Sequence, residues 1–312
     1  MAATLGGASR RAHRQTGSIV PAPVGTRLQR VDAADGREVD ITSPANPRVK
    51  WLQSLRRRRV RDEERVTVVE GYAELALALE AGARPRLLVT CPELVDEAER
   101  PLADQARAAG SDVVTLSRSA FAKASYRESP DGWLAVVPDP TWTLTDLDEV
   151  LGRRSGGKPP VVLVCEAVEK PGNLGAMLRT AEATGVDAVI AASPVADWGN
   201  PNVVRASKGT VFAVPIAAAA ADEVIGWLRS HRLHIVVATP DAAREVPDVD
   251  LTGPTAVVVG AEHDGVTAGW FDPGVVGTGV TAARLPMVGR VNSLNVATSA
   301  ALVLYEITRQ RR

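Results

Sequence analysis

This 312-residue sequence predicts two α/β units, the second built on a doubly wound parallel sheet. Three observations carry that expectation. Short apolar runs alternate with stretches of helical period along most of the chain. The run Val161-Val162-Leu163-Val164-Cys165 is apolar without interruption, as in a strand buried on both faces of a parallel sheet. Proline and glycine gather between 138 and 160, where one unit would hand over to the next.

Residues 1–38 mix small, polar and charged residues with no hydrophobic period and are expected to be a disordered tail. Order should begin at Ile41-Thr42-Ser43-Pro44-Ala45-Asn46-Pro47, where Ser43 and Asn46 offer caps to a helix carrying Val49, Leu52 and Leu55. Strands are expected at 66–71, 87–90, 113–116 and 133–137, with helices at 74–81 and 93–109, giving a first unit over 39–138. Residues 139–160 read as a linker. Within them, Gly152-Arg153-Arg154-Ser155-Gly156-Gly157-Lys158 approaches a phosphate-binding loop, but Pro159 replaces the magnesium-binding hydroxyl residue and no strand leads in. The second unit, 161–312, should hold strands at 161–165, 188–192, 211–216, 235–239, 256–260 and 283–287 and helices at 173–185, 222–231 and 293–311. Ligands of such sheets bind outside the carboxyl ends of the strands, where Gly260 and Met287 fall.

Composition narrows the function classes. With 45% hydrophobic and 23% charged residues, the chain reads as a globular protein; no apolar run suits a membrane span and no secretory signal is visible, so the cytoplasm is the default. Cys91 and Cys165 are isolated and the four histidines scattered, so neither a disulfide framework nor a metal site is expected. The net charge of -1 conceals an asymmetry: residues 1–60 carry twelve basic against four acidic residues, a net +8. Arg48, Lys50, Arg56, Arg57, Arg58 and Arg59 form its peak. Such a cluster suits contact with nucleic-acid phosphates, or equally a solvated helix face balanced by Asp62, Glu63 and Glu64. No strand is followed by the Gly-x-Gly-x-x-Gly of dinucleotide-binding folds. The tryptophans at 142, 198, 227 and 270 are scattered as in a core, and His263 has no partner visible in sequence.

Three short motifs follow one another in the second unit: Asn173-x-Gly175-x-x-x-Arg179, then Gly260-x-Glu262-x-x-Gly265, then Pro286-Met287 with Ser293-Leu294-Asn295 before the last helix. Together they resemble the SpoU or TrmH branch of the SPOUT methyltransferases, which move a methyl group from S-adenosylmethionine to a ribose 2′-hydroxyl of RNA. The likeness covers 161–312, and more loosely 41–137, where Ile41-Thr42-Ser43, Asn46-Pro47, Val49-Lys50 and Val69-Glu70-Gly71 look like that family's L30e-like substrate-binding domain. His263 and Asp264 depart from the commoner Gly-Thr-Glu-Gly form of the second motif.

The resemblance implies a trefoil knot, a rare exception to the rule against threading, and a homodimer paired through the knotted domain. It implies that loops 239–241, 260–265 and 285–295 hold S-adenosylmethionine through Thr239, Gly260, Ala261, Gly265, Leu285, Met287, Ser293 and Leu294. By the same resemblance, Arg179 stands near the target hydroxyl, Asn173 shapes the pocket, and Glu262, Ser293 and Asn295 complete it. Arg179 follows Asn173 by six positions, just under two helical turns, and is expected near the same face. Two roles stay open for it, a base deprotonated in the complex or a cation that binds phosphate and stabilises the forming alkoxide, because guanidinium ordinarily stays protonated. The expected substrate is RNA, with 23S ribosomal RNA favoured by the N-terminal domain that the family's transfer-RNA enzymes often lack. The rival readings are a transfer-RNA methyltransferase and a non-catalytic RNA-binding or ribosome-assembly protein on the same fold.

Overall fold

The computed structural model describes residues 39–152, 157–272 and 279–312. The expected tail at 1–38 and the centre of the glycine-rich stretch at 153–156 lie outside them. The first unit is a five-stranded sheet formed by β1 (Val39–Ile41), β2 (Val66–Glu70), β3 (Leu87–Thr90), β4 (Asp112–Leu116) and β5 (Trp133–Pro138), in the order β1-β4-β3-β5-β2. The strand β5 runs antiparallel to both neighbours. Helices α1 (Pro47–Ser54), α2 (Arg58–Glu64), α3 (Tyr72–Glu80), α4 (Pro101–Ala108) and α5 (Arg118–Ala124) complete it. The expected helix over 93–109 is shortened because Pro101 occupies its first turn, where a missing N–H is harmless, and only a 3₁₀ turn at Glu97–Glu99 precedes it.

Residues 141–152, expected within the linker, are drawn into the second unit. Thr141 and Trp142 (β6, Thr141–Trp142) pair with Ile216 and Ala217, and α6 (Leu144–Gly152) buries Leu147. Proline punctuation hid a short amphipathic element whose apolar side is Trp142, Leu144, Leu147, Val150 and Leu151.

The second sheet adds β7 (Val161–Glu166), β8 (Ala188–Ala192), β9 (Ile216–Ala219), β10 (His234–Ala238), β11 (Thr255–Val259) and β12 (Val280–Ala283). All its pairings are parallel, in the order β12-β10-β11-β7-β8-β9-β6. The strand expected at 211–216 begins only at Ile216. Gly209 at φ 84 opens a 3₁₀ turn over Thr210–Phe212, and Pro215 precedes the strand. After β9 the chain crosses to the far side of β7, so the order reverses between β7 and β11. A crevice opens at such a switch point, outside the carboxyl ends of the strands.

Two helices cover the switch point, α7 (Pro171–Thr184) and α10 (Val296–Gln310), with α8 (Pro201–Ala206) and α9 (Ala221–Ser230) between them in sequence. On α7 the buried side is Leu174, Gly175, Met177, Leu178 and Ala181; on α10 it is Val296, Ala297, Ala300, Val303, Leu304 and Ile307. The two helices pack on each other. Burying each large aliphatic side chain there contributes roughly 1.5–3 kcal/mol. Gly175 is steric: a Cβ there would lie 2.4 Å from the Ala206 Cβ on α8. α7 ends at Gly185, whose φ of 72 suits the left-handed cap.

The two units share one core, in which Val69, Leu75, Ala78 and Trp133 join Leu163, Met177 and Phe212. Polar ties reinforce it. The buried Thr67 Oγ1 donates to Gly199 O at 2.7 Å, and Arg61, 4% exposed, holds both carboxylate oxygens of Asp197 at 3.2 Å. Gly209 lies so close to α3 that a Cβ would fall 2.8 Å from Glu74 O.

Candidate active site at the switch point

The three motifs, separated by up to 122 residues, meet at one place. Asn295 caps α10: its Oδ1 accepts from Ala297 N at 3.0 Å and Thr298 N at 3.4 Å. That leaves the Asn295 Nδ2 free to donate to Glu262 Oε1 at 2.7 Å and to Asn173 Oδ1 at 3.1 Å. Asn173 Nδ2 donates to the same Glu262 oxygen at 2.9 Å, and Lys170 Nζ donates to the other, Oε2. The Lys170 hydrogen bond, then that of Asn173, holds the Glu262 carboxyl below the usual carboxylate range. A glutamate with both oxygens engaged and its basicity lowered is suited to orient two amides, not to take a proton.

Several expectations shift in detail. Ser293, expected in the pocket, is exposed and makes no hydrogen bond among the described residues; the last helix starts three residues later than expected, with Asn295 as its cap. Asn173 is not an N-cap but the third residue of α7, whose cap position is Lys170. Arg179 does not join the cluster. Six residues turn a helix by 600°, which leaves the two side chains about 120° apart around the axis, not on one face. Arg179 is exposed and has no hydrogen-bond or ion-pair partner among the described residues.

The loop after β11 is built by its glycines. A Cβ at Gly260 would sit 2.0 Å from Gly265 O, and Gly265 has φ 67. Ala261 and Gly265 exchange N–H···O bonds of 2.9 and 3.0 Å, closing a tight turn that presents Glu262, His263 and Asp264 to solvent. Thr239, past the end of β10, donates from its N–H to Ala283 O at 3.0 Å. Because β12, β10 and β11 are sheet neighbours, loops 239–241, 260–265 and 285–295 leave the same edge side by side. Leu285 rests on the core, whereas Met287 and Leu294 are exposed. Among the described residues, no backbone N–H from 285 to 295 donates a hydrogen bond. Unpaired backbone donors, a glycine turn with no room for side chains and exposed apolar residues fit an adenosine-bearing cofactor held largely by main-chain atoms.

The arginine cluster divides on inspection. Arg56 donates to Ser125 O and its guanidinium lies 5.3 Å from the centre of the Tyr126 ring. Arg58 pairs with Asp62 at 3.5 Å and Asp197 at 3.7 Å, and Arg59 with Glu63 at 2.9 Å. Arg48, Lys50 and Arg57 have no acidic partner among the described residues. Asp197 lies in the loop after the carboxyl end of β8, so this basic segment sits on the sheet edge that carries the Glu262 cluster.

Sequence reasoning missed Lys170 and Glu166. The signal for Glu166 was an acidic residue ending an otherwise apolar strand, where it is 1% exposed.

Known proteins resemble both units of the chain. Residues 160–305 match the SpoU rRNA Methylase family and residues 46–135 the MRM3-like substrate binding domain. A 23S rRNA (guanosine-2′-O-)-methyltransferase of Pseudomonas syringae pv. tomato is 35% identical over 208 residues, 62% of this chain and 79% of the relative. The chain belongs to the SpoU methyltransferase family. A crystal structure of an RNA 2′-O ribose methyltransferase shares its fold at a TM-score of 0.70 and 36% identity, covering 88% of this chain and 99% of the other. An AdoMet-bound rRNA methyltransferase from Sinorhizobium meliloti superposes at 0.75 with 26% identity, covering 86% and 97%.

Proposed function

We propose that this SpoU-family protein is an S-adenosylmethionine-dependent RNA 2′-O-ribose methyltransferase and that 23S ribosomal RNA is its substrate. The observation that carries the reading is the meeting of Asn173, Glu262 and Asn295 at the switch point beside the Gly260 turn. Family membership and the AdoMet-bound relative support the cofactor. The match of 46–135 to a substrate-binding domain supports a large RNA.

When bound, S-adenosylmethionine supplies an electrophilic methyl group on a sulfonium. The chain's contribution is orientation. Backbone amides of 285–295 and the Gly260 turn would hold the cofactor, with Thr239, Ala261, Leu285, Met287 and Leu294 at its edges. Glu262 fixes the amides of Asn173 and Asn295, so that the pocket wall they form would meet the reacting groups without reorganising. Arg179, exposed and without a protein partner among the described residues, is assigned to the RNA, where its guanidinium would stabilise the alkoxide that forms as the hydroxyl loses its proton. Its distance around α7 from the Glu262 cluster favours action across a homodimer, one protomer's Arg179 serving its partner's site. Exposed Met287, Val288, Val291, Leu294, Leu302 and Tyr305 supply apolar surface for that pairing. The trefoil knot belongs to the same reading. It is supported by membership of the SpoU family.

Incubation with methyl-labelled cofactor and either ribosomal or transfer RNA, followed by mapping of 2′-O-methyl positions, tests the proposal. Label at one ribose of 23S rRNA is expected. Label in transfer RNA alone would move the substrate, and RNA binding without label on either would return the non-catalytic reading.

A further inference from the structure

We infer that Glu166 is a positioning residue that sets the cofactor loop through Thr267. The inference rests on the proposed cofactor reading and assigns a role to a residue outside the three motifs. Glu166 ends the central strand β7, paired in register with Ala192 of β8, and is 1% exposed. A buried carboxylate is costly unless its oxygens are satisfied. No cation reaches it among the described residues. Instead Thr267 N donates to Oε2 at 2.7 Å and Thr267 Oγ1 donates to Oε1 at 2.8 Å.

Thr267 lies just after the turn formed by 260–265, at the residue preceding a 3₁₀ turn whose Trp270 is fully buried. The loop is therefore clamped at both legs. Its near leg is fixed by the contact of Gly260 with Gly265, and its far leg by Glu166. The same two chain segments meet again further out, where Lys170 and Asn173 hold Glu262. That outer link is exposed and competes with water; the inner one is anchored on a buried carboxylate and defines where the loop can stand. Glu166 touches none of the atoms assigned to the reaction, so its effect must pass through loop geometry.

The test measures cofactor affinity by calorimetry and steady-state kinetics in three single variants and one double variant. Wild-type protein that fails to bind S-adenosylmethionine would refute the underlying functional reading, not this inference. With wild-type binding in hand, Glu166→Ala should weaken cofactor binding by about tenfold or more and raise KM for the cofactor, while kcat at saturation changes little. Glu166→Gln should stay near wild type, since an amide can accept from the Thr267 N–H and donate to its hydroxyl. Thr267→Ala, at an exposed position that tolerates truncation, should weaken binding several-fold and keeps the test valid if Glu166→Ala does not fold. In Glu166→Ala/Thr267→Ala the losses should be less than additive, the mark of two residues acting through one contact. Wild-type affinity in Thr267→Ala, full additivity, or a glutamine variant as impaired as alanine would overturn the inference.

Discussion

The arginine segment at 56–65 and the free arginine of α7 carry the same functional group in opposite circumstances. In the first region Arg56, Arg58, Arg59 and Arg61 all have protein partners, and Arg61 is buried between the carbonyls of Leu55 and Arg56 and the carboxylate of Asp197. In the second, Arg179 stands exposed on α7 with no hydrogen-bond or ion-pair partner among the described residues. Within the run, Arg58 and Arg61 tie one unit to the other through Asp197, while Arg179 keeps no protein partner among the described residues. Charge density in sequence measures electrostatic potential at long range; it does not say which cations can still bind a phosphate.

That contrast breaks most visibly at Arg61. Replacement by alanine removes the two-point partner of Asp197 at the junction, leaving it only the more exposed Arg58, and should destabilise the protein by roughly 1–3 kcal/mol, read as a lowered urea midpoint. An unchanged midpoint would make Arg61 one more surface cation. Next comes Arg179→Ala, for which single-turnover methyl transfer should fall by about a hundredfold or more while unfolding and cofactor binding hold. Arg179→Lys should rescue poorly, because a point charge cannot reproduce the guanidinium fork. Near-normal transfer in the alanine variant would erase the difference between the two regions.

Smaller effects sharpen it. Glu262→Gln keeps the shape of the cluster but loses the Lys170 ion pair, and cofactor affinity should drop by roughly tenfold. Since the Glu262 carboxyl is held below its ordinary value by Lys170 first, its contribution is complete above the ordinary carboxylate range and disappears only as pH falls through the depressed value. Cofactor affinity should therefore show no Glu262 inflection between about pH 6 and 8, which titration calorimetry can check. Among the basic residues, the joint Arg48, Lys50 and Arg57 to glutamine variant should flatten the salt dependence of RNA binding by up to about 0.7 per lost phosphate contact. Arg59→Gln, which breaks only an exposed pair, should alter stability by less than about 0.5 kcal/mol.

Much of the site was legible because motif residues were met in their own words: Asn173, Glu262 and Asn295 do touch. Lys170 was not legible, since a lysine before a proline looks like any exposed helix start and its partner lies 92 residues away. The last helix begins at Val296 and not at Ser293, because local propensity cannot choose between Ser293 and Asn295 as its cap. The strand expected at 211–216 failed for a different reason. Apolar content alone does not separate a buried turn from a strand, and here Gly209 and Pro215 decided it.

By itself the sequence determined what repeats over short distances. The apolar run of β7, the buried stripes of α7 and α10 and the glycines at 175 and 260 follow from side-chain period and from the absence of a Cβ. Tertiary structure alone decided which strands became neighbours, and hence that β7 and β11 should frame the crevice. It also decided which arginines found acids and that Glu166 should meet Thr267. Those outcomes depend on contacts between residues far apart in the chain, and a local pattern carries no record of the partner that closes such a contact.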